Sequence, residues 1–295
     1  MTRAFRALTA EPWAIEPSWL PLLAAVAQRD HSSPHVQDRG DWVQRDFALM
    51  AGPGAQKLPG SSRAFIVDGV AVIPVTGPIF PRANMMTEQS GATSITTLSA
   101  DYRAALASPD VGGIMLLVDS PGGAVSGINS FADLVAAGTK KKTTCAHVSG
   151  TCASAAYWIA SSASQITMER TGIVGSIGVV ACLAKQVAPD REGMMDVEVV
   201  SSNAPAKRVD PTSEDGAGEV RKTLDAIESS FIADVARGRG VTVAQVKSDF
   251  GQGGVKVGSV AVSAGMADRV QSYETALSAM QRTVRNARRM DALRQ

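Results

Sequence analysis

The pattern of hydrophobic and polar positions predicts an α/β domain that begins near residue 63. Two β-branched runs, AFIV at 64–67 and VAVIPV at 70–75, are joined by Asp68-Gly69, a dipeptide typical of a tight hairpin turn. Apolar residues then recur at helical spacing over 95–106. The continuous apolar run GIMLLV at 113–118 follows, and such a run is typical of a strand buried on both faces of a parallel sheet.

The middle of the chain continues this alternation. A second helical pattern over 125–135 leads to TTCAHV at 143–148, which predicts another strand, and an alanine-rich helix is predicted to begin at Ala153. Ser149-Gly150 is expected to end that strand. The order strand, helix, strand, helix implies right-handed βαβ crossovers. Further strands are predicted at 165–168, 176–181 and 196–201.

Three regions follow from these patterns. Residues 1–62 are expected to form a short helix capped by Ser18 and a mobile polar linker, and residues 63–272 the main domain. A long helix over 220–235 ends near Arg237–Gly240, Thr242 caps a shorter one, and 251–258 reads as a turn. Residues 273–295 are predicted to be a basic helix or tail with a solvated face, or alternatively a surface that contacts a partner or nucleic acid.

Composition excludes several classes of protein. With 295 residues, 45% hydrophobic content and 19% charged residues, the chain can bury a sizeable core. A net charge of +1 favours no nucleic-acid partner, and no run approaches the roughly 18 apolar residues of a membrane span. Prolines and acidic residues around the apolar run 19–27 argue against an export signal. The three cysteines have no metal-type spacing, so we expect reduced thiols, no metal, no cofactor and a cytoplasmic location.

Ser154 is the candidate nucleophile, because it lies where a strand is predicted to turn into a helix whose first amides are free. Its usual base would be histidine, but His31 and His35 lie in the linker and His147 lies in mid-strand, where a core role is favoured. Lysine is the remaining type of base, provided that its amine is neutral. Lys207 follows the predicted strand 196–201 and should lie at the sheet edge of Ser154, while Lys185 stays an alternative.

Acyl transfer also needs donors for the developing oxyanion. The loop Asp119-Ser120-Pro121-Gly122-Gly123 directly follows the buried strand, and its glycines let a carbonyl approach bare amides. The Ala155 amide offers a second donor. An ordinary turn is the alternative interpretation of the glycine pair. The small residues around Ser154 favour small side chains next to a scissile bond.

Taken together, these segments resemble the signal peptide peptidase A family of serine peptidases, and within it the bacteriophage capsid-maturation (protein C-like) branch. The matching pieces are the 119–123 loop, ASAAYWIA at 153–160, TGIVGSIGV at 171–179, Lys207 and GMAD at 265–268. The resemblance implies a ClpP/crotonase-like superhelix of βαβ units, often assembled into oligomers. The chain departs from the family pattern at Ala155-Ala156, where Gly-Gly is commoner, and in the residues around Lys207.

On the family pattern, Ser154 is the nucleophile, Lys207 the general base and Ser176 the residue that orients the lysine, while Gly123 and Ala155 supply the oxyanion amides. The implied function is that of a Ser-Lys endopeptidase that processes capsid scaffold or portal proteins, or itself, in the host cytoplasm or the assembling prohead. A homo-oligomer is expected. A crotonase-type thioester enzyme, an inactive assembly protein of the same fold, and Cys152 as nucleophile remain alternatives.

Overall fold

The computed structural model describes residues 12–28, 47–83, 91–183, 185, 187–189, 193–195, 197 and 199–294. The strands are β1 Trp13–Ile15, β2 Gln56–Lys57, β3 Phe65–Val67, β4 Val70–Thr76, β5 Ile79–Phe80, β6 Thr93–Ser94, β7 Gly113–Ser120, β8 Gly122–Ala124, β9 Thr143–Ala153, β10 Gln165–Met168, β11 Ile173–Gly175, β12 Val255–Val257 and β13 Arg269–Val270. The helices are α1 Trp19–Gln28, α2 Ile95–Ala107, α3 Ile128–Gly138, α4 Ala155–Ser161, α5 Glu214–Arg239, α6 Val243–Asp249, α7 Gly258–Ser263 and α8 Tyr273–Arg294.

The predicted α/β class is confirmed, since β4, β7 and β9 pair in parallel at the centre of a nine-stranded sheet. β10 and β11 both pair in parallel with β9, the first along its beginning and the second along its end. The carboxyl ends of β7, β9 and β11 therefore meet at one edge. A four-stranded sheet in the order β1-β8-β5-β6 forms beside that edge.

The hairpin predicted at Asp68-Gly69 is present between β3 and β4. Both turn residues have positive φ, 48° and 81°. This is required in a two-residue type I′ turn, whose backbone twist matches that of the flanking strands. Glycine tolerates this conformation, and aspartate is among the few other residues that visit it.

Apolar side chains cover both faces of the large sheet. One face packs against α2, α3, α4 and α5, with Tyr102 and Phe131 in edge-to-face contact. The other packs against α8 and residues 47–51. The basic C-terminal segment is therefore a helix with one buried stripe, formed by Ala276, Leu277, Met280 and Val284.

The structure corrects four predicted elements. β9 does not end at residue 148 but continues to Ala153, because a register shift lets Cys152 pair with Ser120. No strand covers 176–181, because the strand in this region, β11, ends at Gly175. It is followed only by an isolated bridge at Val180. No strand forms at the described residues of 196–201, and the predicted turn at 251–258 contains β12. Residues 29–46 of the predicted linker lie outside the described residues.

Candidate active site

Ser154 lies between β9 and α4 in a backbone conformation that favours glycine, with φ 52° and ψ −118°. Its amide donates to the Gly175 carbonyl over 2.7 Å, and its own carbonyl accepts from the Trp158 amide over 2.9 Å. Such conformations cost about 1–3 kcal/mol and occur mainly where surrounding contacts hold them, often at active sites. The sharp strand-to-helix turn is that of a nucleophile elbow without its glycine pattern.

Helix α4 is anchored firmly enough to hold this turn. The Trp158 ring stacks on Phe231 of α5, with centroids 4.5 Å apart, and its indole N–H donates to the Asp234 carboxylate over 2.8 Å. The Tyr157 hydroxyl donates to the Met266 carbonyl over 2.9 Å. Ala155 and Ala156 are fully buried, so the methyl groups that replace the family's commoner glycines are accommodated in the core.

The predicted 119–123 loop, in which only Pro121 lies outside β7 and β8, is fixed by polar groups at the end of β7. Asp119 Oδ1 accepts from the Thr151 amide over 2.8 Å, which ties the loop to β9. Ser120 Oγ donates to the Gly77 carbonyl over 2.7 Å and accepts from the Gly122 amide over 3.2 Å. The loop is thus held close to the start of α4.

The two glycines of this loop are required by close backbone approach. A Cβ on Gly122, whose φ is +99°, would lie 2.3 Å from the Ala14 oxygen, 2.9 Å from the Ala153 oxygen and 3.0 Å from the Ala155 nitrogen. A Cβ on Gly123 would lie 2.0 Å from the Ile79 oxygen. The structure therefore brings Gly122 against the first amide of α4, while Gly123 lies against the backbone of β5.

Ser176 also lies beside Ser154, on the segment that follows β11. Gly175 pairs with Ala153, and the Gly178 carbonyl accepts from Ser154 Oγ over 3.4 Å. Ser176 is buried, has φ 54°, and donates its amide to the Gly254 carbonyl over 2.8 Å. A second strained serine thus lies two residues from the carbonyl that contacts the candidate nucleophile.

Lys207 is not hydrogen-bonded to this cluster. It ends the 3-10 helix Pro205–Lys207, its side chain is exposed, and among the described residues it forms no hydrogen bond with Ser154 or Ser176. The alternative Lys185 donates to Asp210 over 2.6 Å and to Thr212 over 2.9 Å. Hydrogen bonds from Lys185 and then Thr212 hold the pKa of the Asp210 carboxyl well below its usual range.

His147 and Cys152 have surroundings typical of core residues. His147 Nδ1 lies 2.9 Å from Thr167 Oγ1, and Nε2 lies 3.7 Å from Glu169 Oε1, too far for a hydrogen bond. Burial lowers the pKa of His147, and nearby Glu169 only partly opposes this. Cys152 is fully buried, and burial raises the pKa of its thiol, which disfavours the nucleophilic thiolate.

Sequence reasoning missed strand β1 entirely. It pairs antiparallel with β8, with Ala14 opposite Gly123, and Trp13 also exchanges two 2.8 Å backbone hydrogen bonds with Val180. The only signal is the apolar triplet Trp-Ala-Ile between Pro12 and Pro17, with a proline near each end. Three residues are too few to predict a strand whose partners lie more than a hundred positions away.

Within the described ranges, no group of three or more His, Cys, Asp or Glu side chains is arranged to hold a metal ion. No helix among these residues has both the length and the apolar character to cross a membrane.

Curated relatives include proteins of two bacteriophages. The chain is 29% identical to the capsid assembly protease C of Escherichia phage lambda over 92% of this chain and 63% of the relative. It is 26% identical to the head-tail preconnector protein GP5 of Enterobacteria phage P21 over 92% of this chain and 55% of that protein. Protease 4 of Haemophilus influenzae is 26% identical over 73% of this chain and 35% of its own length. The chain thus spans little more than half the length of the two phage relatives.

A sequence model described as Peptidase family S49 matches residues 136–286, just over half of the 295-residue chain. This range contains the serine elbow, the 171–179 segment and Lys207, while the 119–123 loop precedes it. On this match the chain belongs to peptidase family S49, and its α/β architecture is the ClpP/crotonase-like fold that the resemblance implied.

Proposed function

We propose that the protein is a serine endopeptidase in which Ser154 is the nucleophile. The supporting observation is the strained Ser154 elbow, whose following amide, on Ala155, lies 3.0 Å from the point that a Gly122 side chain would occupy. The Gly123 amide is the second proposed donor. An acyl oxygen placed there would be bound by two backbone N–H groups, each contributing about 3–4 kcal/mol to transition-state stabilisation.

The proposed reaction has two acyl-transfer steps. Ser154 Oγ attacks the carbonyl carbon of the scissile peptide while Lys207 Nζ takes its proton, and the oxyanion is held by Gly123 and Ala155. The C–N bond then breaks, the proton passes to the leaving amine, and an ester remains on Ser154. Water, deprotonated by the same lysine, hydrolyses this ester and restores the serine.

Lys207 must approach Ser154 for this role, with Ser176 accepting or donating a hydrogen bond that orients its amine. The 3-10 helix Pro205–Lys207 is exposed, so the lysine is solvated when it is away from the site. Transfer into the buried surroundings of Ser154 would disfavour its charged form, which is the condition for a neutral base at physiological pH.

The proposed substrates are capsid assembly proteins, such as scaffold or portal, or the protein itself. This proposal follows from the resemblance and from the phage relatives named as a capsid assembly protease and a head-tail preconnector. It also implies a homo-oligomer in the host cytoplasm or the assembling prohead. Several exposed apolar side chains support association: Leu183, Val187, Met194, Met195, Val197 and Val199.

The test separates serine, base and control positions. We expect Ser154→Ala to abolish cleavage of an unfolded protein substrate and labelling by a fluorophosphonate, whereas Ser164→Ala, at an exposed serine, changes neither. Lys207→Ala should lower kcat/KM by about 10²–10⁴, the usual range for losing a general base, and Lys185→Ala should not. Cleavage that survives Ser154→Ala would refute the proposal. An equal loss in both lysine variants would refute the assignment of the base.

Processing of assembly proteins needs its own experiment. The chain is co-expressed with a phage scaffold protein and a phage portal protein, and the masses of both are compared with those from co-expression with Ser154→Ala. New fragments only with the active serine support the capsid role. If the masses are unchanged while the unfolded substrate is still cleaved, the protein is a peptidase whose natural substrate is neither scaffold nor portal.

A further inference from the structure

Strand β1 lies between two backbone segments, β8 and the residues around Val180, and each of these segments reaches the turn that carries Ser154. On one side it pairs with β8, which begins at the proposed oxyanion loop. On the other side Trp13 pairs with Val180, two residues after the Gly178 carbonyl that accepts from Ser154 Oγ. An extended chain between two strand-like walls is the arrangement in which peptides are recognised by strand addition.

The register directs the carbonyl of Ala14 at the proposed oxyanion donors. The Glu16 amide donates to the Pro121 carbonyl over 2.8 Å, and the Val125 amide donates to the Pro12 carbonyl over 3.2 Å. Hydrogen-bonded pairs alternate along an antiparallel ladder, so Ala14 and Gly123 form the pair between these two bonds. The Gly123 amide therefore points to the Ala14 oxygen. That oxygen and the Ala155 nitrogen both lie within 3.0 Å of the same point beside Gly122.

Burial shows that the site is closed to other chains in this state. Ser154 is 0% exposed, as are Ala14 and Ala155, and Trp13 and Ile15 are almost fully covered. A polypeptide cannot reach a hydroxyl with no accessible surface. Some element that covers Ser154 has to move before any external substrate is cleaved, and β1 is an extended segment between β8 and Val180, on either side of this site.

We propose that residues 12–16 are a resident peptide ligand of the substrate groove, which blocks Ser154 until this strand leaves. This inference rests on the proposed peptidase function. The ligand also indicates the class of polypeptide that the groove accepts: an extended segment with a small residue opposite Gly123 and bulky apolar residues on either side. Ala14, between Trp13 and Ile15, has this pattern, and it agrees with the small side chains expected next to the scissile bond.

The first test locks the strand in place. Trp13 and Val180 form a hydrogen-bonded antiparallel pair, whose Cα atoms are about 5.5 Å apart, a separation that a disulfide can bridge. Trp13→Cys combined with Val180→Cys is made in the full chain with Cys182→Ser, because the other two cysteines are buried. We expect oxidation to lower cleavage of a fluorescent unfolded protein at least tenfold and a thiol reductant to restore it. Trp13→Cys alone, in the same background, should show no such change.

The second test loosens the strand by one hydrogen bond. Glu16→Pro removes the amide that donates to Pro121, while Glu16→Ala keeps it, and both lose the contact between the Glu16 carboxylate and the Ser18 hydroxyl. Loss of one net hydrogen bond from the blocked state should raise kcat/KM about fivefold in Glu16→Pro over Glu16→Ala. If β1 only stabilises the fold, Glu16→Pro should instead be less active than Glu16→Ala.

The outcomes separate this inference from the proposed function. A disulfide confirmed by mass spectrometry that leaves cleavage unchanged would overturn the resident ligand while the peptidase stands. So would a Glu16→Pro variant that is no more active than Glu16→Ala. If the wild-type chain, the reduced lock variant and Glu16→Pro all fail to cleave and to react with a fluorophosphonate, both the peptidase and its resident ligand are wrong.

Discussion

At the scale of single residues, Ser154 has a side chain where glycine would be the easier choice. With φ 52° and ψ −118°, the backbone is strained for any residue that carries a Cβ atom. The only hydrogen bond of its hydroxyl among the described residues is the 3.4 Å contact with Gly178. The serine is thus retained at a cost in stability, as is common where activity and stability conflict.

We therefore predict that Ser154→Gly has a higher free energy of unfolding than Ser154→Ala, by about 1 kcal/mol, because only glycine relieves the positive φ. Both variants lack the hydroxyl, so they differ only in the backbone strain and in one buried methyl group. Chemical denaturation monitored by circular dichroism measures it. Equal stabilities would mean that the surrounding contacts, and not the side chain, determine this conformation.

His147 gives a pH dependence whose direction follows from burial. Its pKa in the folded protein is lowered, so the unfolded chain binds the proton more readily. The stability due to the neutral imidazole is present above about pH 6.5, the ordinary value, and is lost as pH falls below it toward the folded pKa. The facing charged groups, Glu169 and Glu274, oppose this shift without reversing it.

The corresponding prediction compares the wild-type protein with His147→Gln at pH 7.5 and pH 5.5. The wild type should lose more free energy of unfolding across this interval, by up to about 1.4 kcal/mol for each pH unit over which only the unfolded chain is protonated. The carboxylates that do not face His147 titrate alike in both proteins, so their contribution cancels in the difference. A wild-type loss no larger than that of His147→Gln would contradict the burial argument.

Among the proposed catalytic groups, the positions of those near Ser154 could be predicted from sequence, whereas the position of Lys207 could not. Ser154, Ala155 and Gly123 are placed by strand ends, and strand ends follow from local hydrophobic patterns. Lys207 depends instead on a segment with no strand among its described residues. Its spacing after a predicted strand could suggest an edge of the sheet but not a contact.

At the scale of secondary structure, local patterns found the central strands and missed the pairings that complete the site. β9 continues through Ser149-Gly150 because Asp119 binds the Thr151 amide across the register shift. A Cβ on Gly150 would lie 2.5 Å from the Asp119 carboxylate, so the glycine that looks like a strand breaker leaves room for this side chain. Strand β1 depends similarly on partners distant in sequence. Contacts between residues distant in sequence cannot be predicted from the hydrophobic pattern of a short stretch of the chain.

Helix α8 shows the same limit, and its role in stability can be measured. Its exposed arginines form the predicted solvated face, and the pattern missed the opposite face, where Met280 and Val284 pack against the start of β7 and Gly113 leaves them room. We predict that Met280→Ala lowers the free energy of unfolding by about 2 kcal/mol or more, the usual cost of truncating a buried methionine. Arg285→Ala, at an exposed position of the same helix, should stay within about 0.5 kcal/mol. A small effect at Met280 would mean that α8 docks only weakly on the sheet.

At the scale of the whole molecule, two segments differ sharply in exposure. β1 is buried between β8 and Val180, whereas the described residues between 183 and 207 carry exposed apolar side chains and end at the exposed Lys207. A single chain that leaves Val187, Val197 and Val199 more than 80% exposed keeps apolar surface in water that association would remove. An interface over this segment would also constrain the helical turn that carries Lys207.

We therefore predict that assembly and catalysis fail together when this surface is made charged. Val187→Glu combined with Val199→Glu should shift the sedimentation profile toward a monomer and lower kcat/KM, while thermal unfolding of the monomer is little changed because both side chains are solvated. Leu49→Glu, at another exposed apolar position, is the matched control and should alter neither property. A double variant that dissociates but keeps full activity would show that Lys207 reaches Ser154 within one chain. One that stays assembled would place the interface elsewhere on the molecule.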